Sequence, residues 1–301
     1  MITRKLNFTK LLLSISLAVF VFVTCKKDRI VDKPLKEYKS LTEYLDSKKQ
    51  KEQEFIIDTP GKCPIIGLQG TQICPSKSTI MFTDKADSIT YPYKIKLVEL
   101  YTPKDMIYYQ LPSVGSGTIL TTAGELRIRA YKDSSELILR PSKLWSIVSM
   151  PGKSTVDGMK QYYGTTTNNL TDWTTNPVGD FGKTDTSYFG LIQKLGWIAC
   201  DKDASSANSV TITFASTSDN LANVGIFIYI PSTKTIMQIK NFVSDKIPSG
   251  DDIKILAFGQ DASNDFYFYY KKMTLGQNNE ILDISLTKTK ESDLTAKLDA
   301  L

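Results

Sequence analysis

ELRIRAYKDSSELILR, residues 125–140, decides the fold class. Apolar and charged residues alternate from Glu125 to Tyr131, the signature of a strand with one face on a core. Leu126, Ile128 and Ala130 are expected to face in, and Glu125, Arg127 and Arg129 to face out. Lys132-Asp133-Ser134-Ser135 has turn composition, and Glu136 to Arg140 returns as the partner strand of a hairpin. Upstream, Tyr93 to Tyr101 alternates as strongly. Phe55 to Ile57, Ile65 to Ile73, Thr79 to Phe82, Ile119 to Thr122 and Leu144 to Met150 add shorter strands. Downstream the pattern resumes at Tyr188 to Ile198 and Val210 to Phe214. Gly225 to Ile230 is apolar throughout, as a central strand requires. Ile236 to Ile239, Ile253 to Phe258, Phe266 to Lys271 and Ile281 to Leu286 follow. Many short strands with turns between them predict a mainly β protein of two β-sandwich-like domains.

The N-terminus carries a different signal. Arg4, Lys5 and Lys10 precede an apolar run from Leu11 to Val23, which ends at Thr24-Cys25, and charge returns at once with Lys26. A basic segment followed by a short apolar one is an export signal, too short to span a bilayer comfortably. Its end on cysteine resembles a bacterial lipoprotein signal, which implies cleavage before Cys25 and a diacylglycerol on its thiol. The expected organisation is a signal peptide over 1–24, a lipid-anchored tether over 25–39 and a short helix over 40–54. A β-domain over 55–157, a polar connector over 158–187 and a second β-domain over 188–301 with a short C-terminal helix complete it. Ser40 and Glu43 have the spacing of a capping box for the first helix.

Composition narrows the chemistry. Histidine is absent from all 301 residues, which excludes Ser-His-Asp and Cys-His nucleophiles and histidine-rich zinc sites. Three of the five surplus positive charges lie in the signal segment, so the mature chain has no general attraction to nucleic acid. No cofactor and no metal is assigned. Of the four cysteines, Cys25 is given to lipid, and Cys63 and Cys74 flank a short hairpin. A Cys63–Cys74 disulfide is expected of an exported protein, with two buried thiols as the alternative. Cys200 reads as a buried free thiol. Asp201-Lys-Asp203 opens like a calcium loop but lacks its glycine and its closing glutamate, so it reads as a solvated turn. Asp251, Asp252, Asp261 and Asp265 stand in turn sequences, where aspartate serves the backbone.

One stretch resembles a known family. Asp105-Met-Ile107, Pro112-Ser113, Leu120, Gly124-Glu125, Ala130 and Glu136-Leu137, with Gly70-Thr71 upstream and Leu195-Gly-Trp-Ile-Ala-Cys-Asp201 downstream, are similar to a ZU5-like β-domain of Bacteroidota cell-envelope proteins. The resemblance implies a β architecture and an outer-membrane location; no activity comes with it.

The expected function is therefore non-enzymatic: a lipid-anchored envelope protein with a binding or scaffolding role, its partner a protein or a glycan. The membrane is engaged through lipid on Cys25. The aromatic strand Phe266 to Tyr270 offers Tyr267 and Tyr269 as a ligand platform if one face is uncovered, and Tyr162, Tyr163 and Trp173 offer a second surface. The alternative is a carboxylate-dependent glycan hydrolase, which needs two acids at a set separation across a cleft.

Overall fold

The computed structural model describes residues 34–151, 154–167, 170–174 and 178–301. The expected signal peptide and Cys25 lie outside the described residues. The chain is mainly β, and among the described residues its strands pair antiparallel except Ile212–Ala215 with Glu280–Asp283, which pair parallel. Three α-helices occur among the described residues: α1 (Thr42–Lys48), α2 (Pro103–Tyr109) and α3 (Glu291–Asp299).

The hairpin read from residues 125–140 is present. Its first strand is longer than the alternation suggested, running Thr118–Lys132, and it pairs with Ser135–Leu139 across Asp133, which adopts a positive φ. Thr118–Lys132 lies inside a nine-stranded sheet, between Tyr93–Leu100 and Gly196–Asp203. One face of that sheet packs on a five-stranded sheet that includes Ile65–Ile66, Gln72–Cys74, Trp145–Pro151 and Ser187–Ile192. Ile95, Leu97, Leu126, Ile128 and Ile198 meet Ile73, Trp145, Ile147 and Tyr188 there, which makes the sandwich. The disulfide between Cys63 and Cys74 closes the small hairpin of this second sheet.

The other face of the nine-stranded sheet is covered as well. Val98, Leu100, Tyr162, Trp173 and Trp197 pack with all three helices and with Phe227, Tyr229, Leu256 and Phe258. The last four belong to a second five-stranded sheet centred on Gly225–Ile230 and Asp252–Gln260. Its far face carries a third core of Ile226, Ile228, Ile255 and Ile212. Gly225–Ile230 is thus buried on both sides, which explains its unbroken apolar run.

Three expectations change. Residues 158–187 do not form a connector: Lys160–Thr167 and Leu170–Trp173 are strands of the nine-stranded sheet, and Gly182–Lys183 edges the five-stranded one. Their Thr and Asn content suits strand edges and turns and carries no linker signal on its own. Leu35–Leu301 is one compact unit. The tether expected over 25–39 is docked from Leu35 onward. The Lys36 and Lys39 amides donate to the Ser218 and Gln260 carbonyls (2.9 and 2.8 Å), and buried Tyr38 donates to Asp219 Oδ1 at 2.6 Å. The helix expected over 40–54 ends at Lys48, and Gln53–Ile57 is a strand. The capping box is not formed: Leu41 occupies the N-cap position, and Ser40 Oγ accepts from the Thr42 amide at 3.3 Å.

Candidate functional site

The strands Thr118–Lys132 and Gly196–Asp203 fall out of step at one place. Glu125 stands opposite Ala199 and Thr122 opposite Asp201, so Ala123 and Gly124 together face the single residue Cys200. This is a β-bulge, and Gly124 supplies the positive φ it needs, +132°. A Cβ at Gly124 would lie 2.2 Å from the Tyr101 ring, so the position also excludes any side chain. The bulge resets the alternation. Thr122 and Glu125, three residues apart, now point to the same face, the one that also carries Asp201.

That face is the one beneath α2. The helix starts cleanly: Thr102 Oγ1 accepts from the Asp105 amide at 3.2 Å and donates to Asp105 Oδ2 at 2.6 Å, with Pro103 in the first turn. Gln110 closes it in the left-handed region. The chain then brings Ser113, fully buried, over the sheet. Its hydroxyl donates to Glu125 Oε1 at 3.3 Å, with Met106 Sδ a second acceptor at 3.7 Å.

Glu125 and Asp201 are both completely buried at 0% exposure. Glu125 Oε2 and both carboxylate oxygens of Asp201 make no well-formed hydrogen bond, although the Thr122 hydroxyl lies beside Asp201. Burial pushes Asp201 up to about 8, with Thr122 opposing the shift. Burial, then the neighbouring Asp201 carboxylate, pushes Glu125 well above the usual range. Two buried carboxyl groups with orphaned oxygens are the strongest polar anomaly among the described residues. Beside them lies a groove of about 770 Å³ lined by Tyr101, Asp105, Met106, Thr122, Gly124 and Thr233 among others.

Both acids escaped the sequence reading. Glu125 was placed on the solvent face with Arg127 and Arg129, and it does share their face of the sheet; that face is covered by the helix layer and the C-terminal sheet, which buries Glu125. Asp201 was placed in a solvated turn and is instead inside a strand. The one available signal was Gly124, a glycine interrupting a strand pattern.

The candidates that were singled out have other roles. Tyr162, Tyr163 and Trp173 are buried and offer no surface. Trp173 Nε1 donates to the Pro112 carbonyl at 2.8 Å, and Tyr163 belongs to the sandwich core. Tyr267 and Tyr269 are half-buried against the third core, while Phe268 and Tyr270 cover the opposite core. Tyr267 is capped by Lys36 Nζ at 4.0 Å and by the edge of Tyr38, so the docked N-terminal segment covers the expected platform. Asp251 and Asp252 lie at one end of the strand Asp252–Gln260 and Asp261 and Asp265 at the other, roughly 27 Å apart at the usual strand rise. The two clusters therefore do not share one site, and in the second Asp261 Oδ1 serves the turn, accepting from the Ser263 and Asp265 amides at 2.9 and 3.0 Å. Cys200 is a buried free thiol.

Gly70-Thr71 has a structural role. The loop it belongs to wraps the buried Glu99 carboxylate, which accepts from the Gln69 and Thr71 amides at 2.9 and 3.0 Å and from Gln53 Nε2 at 2.8 Å.

Comparison with protein-family models, curated proteins and solved structures yields no match to this chain. No helix among the described residues is long and apolar enough to cross a membrane.

Proposed function

We propose that this chain is a lipid-anchored outer-membrane protein that binds or scaffolds a protein partner, with the ZU5-like resemblance accounting for its sandwich. The observation that carries the reading is the outer face of the five-stranded sheet. Along Ser187–Ile192 the alternation is clean: Tyr188 and Ile192 are buried, and Phe189 and Leu191 point outward. On an antiparallel sheet with one wet face, outward positions are normally polar. Here Phe189 is 47% exposed and Leu191 52%, with Ile66 at 58% on the same sheet and Leu144 at 42% beside it. An exposed apolar surface of this kind suits a protein partner. A glycan would call for an open aromatic platform, and the five aromatic residues proposed for that role are buried or half-covered.

The test has two parts. A photo-crosslinking residue at Leu191 should capture an envelope protein in cells, while one at Lys271 on the opposite side of the chain's sequence and sheet order should not. Cys25→Ala should move the protein out of the membrane fraction. A mutant that fractionates like the parent removes the anchor from the reading. Equal capture at both positions removes the sheet face. The hydrolase alternative needs two acids across an open cleft; the acids named for it form two clusters, Asp251 with Asp252 and Asp261 with Asp265, at opposite ends of one strand.

A further inference from the structure

The pair at the bulge is costly as it stands. A buried carboxylate left without donors is destabilising by several kcal/mol, and two side by side repel. Proteins resolve such a pair either with protons or with a cation. The surroundings here are oxygen-rich and arranged on one face: Glu125, Asp201, Thr122 across the strand from Asp201, and Ser113 from above. The Ser113 hydroxyl donates to Glu125 Oε1 at 3.3 Å, and Met106 Sδ at 3.7 Å is a second acceptor to which its proton can turn when the oxygen serves as a ligand. Among the described residues no three His, Cys, Asp or Glu side chains converge to hold a metal, so hydroxyls must complete any donor set.

We propose that Glu125 and Asp201, with the hydroxyls of Thr122 and Ser113, form a binding site for a hard divalent cation of the calcium class. The donor set is oxygen only, which selects calcium, magnesium or manganese over zinc and copper. Four carboxylate oxygens and two hydroxyls reach the lower end of calcium's range of about 6–8 ligands. Magnesium dehydrates reluctantly and keeps several waters, so a site walled by Met106, Leu120 and Tyr162 suits calcium better. The groove along Tyr101–Met106 and Thr121–Gly124 shares Thr122 with the site, while Glu125, Asp201 and Ser113 lie behind its wall. Because bulge, strand pairing and α2 all converge on the acids, the ion would lock the sandwich to the helix layer. Binding only to the folded chain, it would raise stability by mass action.

The experiment uses the purified full chain, with calcium chloride as the probe and EDTA as the reference, at pH 7.5. Equilibrium dialysis should find one calcium per chain, and 1 mM calcium should raise Tm by about 5 °C or more over EDTA. Glu125→Gln/Asp201→Asn keeps the shape and removes the charge; it should bind no calcium and show no calcium-dependent shift. Should that variant not fold, Thr122→Val serves instead, with an expected loss of about tenfold in affinity. Parent protein that binds no calcium, magnesium or manganese overturns the site and leaves the acids to protons. Calcium binding that survives unchanged in the charge-free pair, or in Thr122→Val where that variant is the one used, places the ion elsewhere and overturns it equally.

Discussion

At the scale of single residues, Asp201 makes the sharpest prediction. Its carboxyl is raised to about 8 by burial, while an unfolded aspartate titrates near 4. Between those values the folded chain holds a proton that the unfolded chain has released. Stability therefore falls as pH rises through this window, the reverse of a salt-bridged acid, by up to about 1.4 kcal/mol per pH unit for one proton. Asp219 works the other way: burial would raise it, but hydrogen bonds from Ser218, Tyr38 and the Leu286 amide hold it low, so its contribution is lost only in acid. The window from pH 6 to 8 excludes Asp219 and leaves the two raised acids, Asp201 and its neighbour Glu125, to set the slope. In EDTA, Tm should drop from pH 6 to pH 8, and Asp201→Asn should flatten that drop. A parent Tm that is level or rising over this range would sink the assignment. Glu99 is also buried, and backbone amides satisfy its carboxylate. Glu99→Ala should cost about 2–4 kcal/mol in urea unfolding by stranding those amides, and a loss below 1 kcal/mol would contradict the geometry. None of this was legible in the sequence: alternation assigned Glu125 to the right face but cannot show that a second layer covers that face, and the extra residue at Gly124 brings Thr122 onto it beside Asp201.

At the scale of elements, the sequence was a better guide. The strands Tyr93–Leu100, Gly225–Ile230 and Phe266–Thr274 and the helix α3 fall where periodicity put them. A two-residue period with a buried face is dictated by local pattern, and these segments are long enough to show it. What failed was reading polarity as irregularity. Gln161, Tyr162 and Tyr163 sit in a Thr- and Asn-rich stretch, yet their strand pairs with Gly196–Asp203 and its side chains feed two cores. Pairing partners more than thirty residues away are invisible to a local pattern. The small hairpin of Ile65–Ile66 and Gln72–Cys74 is the element that most needs help. It is short, one of its faces carries exposed Ile66, and its inward residues Ile65 and Ile73 anchor it to the sandwich. The Cys63–Cys74 bridge closes a loop of sequence separation 11, worth about 3 kcal/mol in the loop-entropy account. Cys63→Ser/Cys74→Ser should lower the urea midpoint by a corresponding amount, and a reductant should do the same to the parent. A midpoint indifferent to both would mean that packing alone holds the hairpin.

At the scale of the whole molecule, the question is whether two sandwiches fold or one layered body does. The sequence suggested two, because strand-rich halves flank a polar stretch. The structure joins them through a middle core in which neither half is complete. Val98, Leu100, Trp173 and Trp197 come from the nine-stranded sheet, and Phe227, Tyr229, Leu256 and Phe258 from the C-terminal sheet. Leu41 and Leu45 of α1 and Leu294 and Leu298 of α3 plug the layer from opposite ends of the chain. Polar ties cross the same layer: Trp173 Nε1 to the Pro112 carbonyl, the Ser113 amide to the Ile236 carbonyl at 2.8 Å, and Lys48 to Glu291 at 2.5 Å. Cutting the chain between Asp203 and Ser209 would leave each half with a bare apolar face several side chains wide. At about 1.5–3 kcal/mol for each large side chain returned to water, that loss exceeds the net stability of most domains of this size. The chain should therefore unfold in a single transition, with calorimetric and van't Hoff enthalpies equal. Fragments 35–203 and 209–301, expressed separately, should be unfolded or insoluble alone. Two resolved calorimetric peaks, or a fragment with its own cooperative melt, would show that the middle core is a contact between independent domains, and the layers would have to be redrawn as two sandwiches that merely touch.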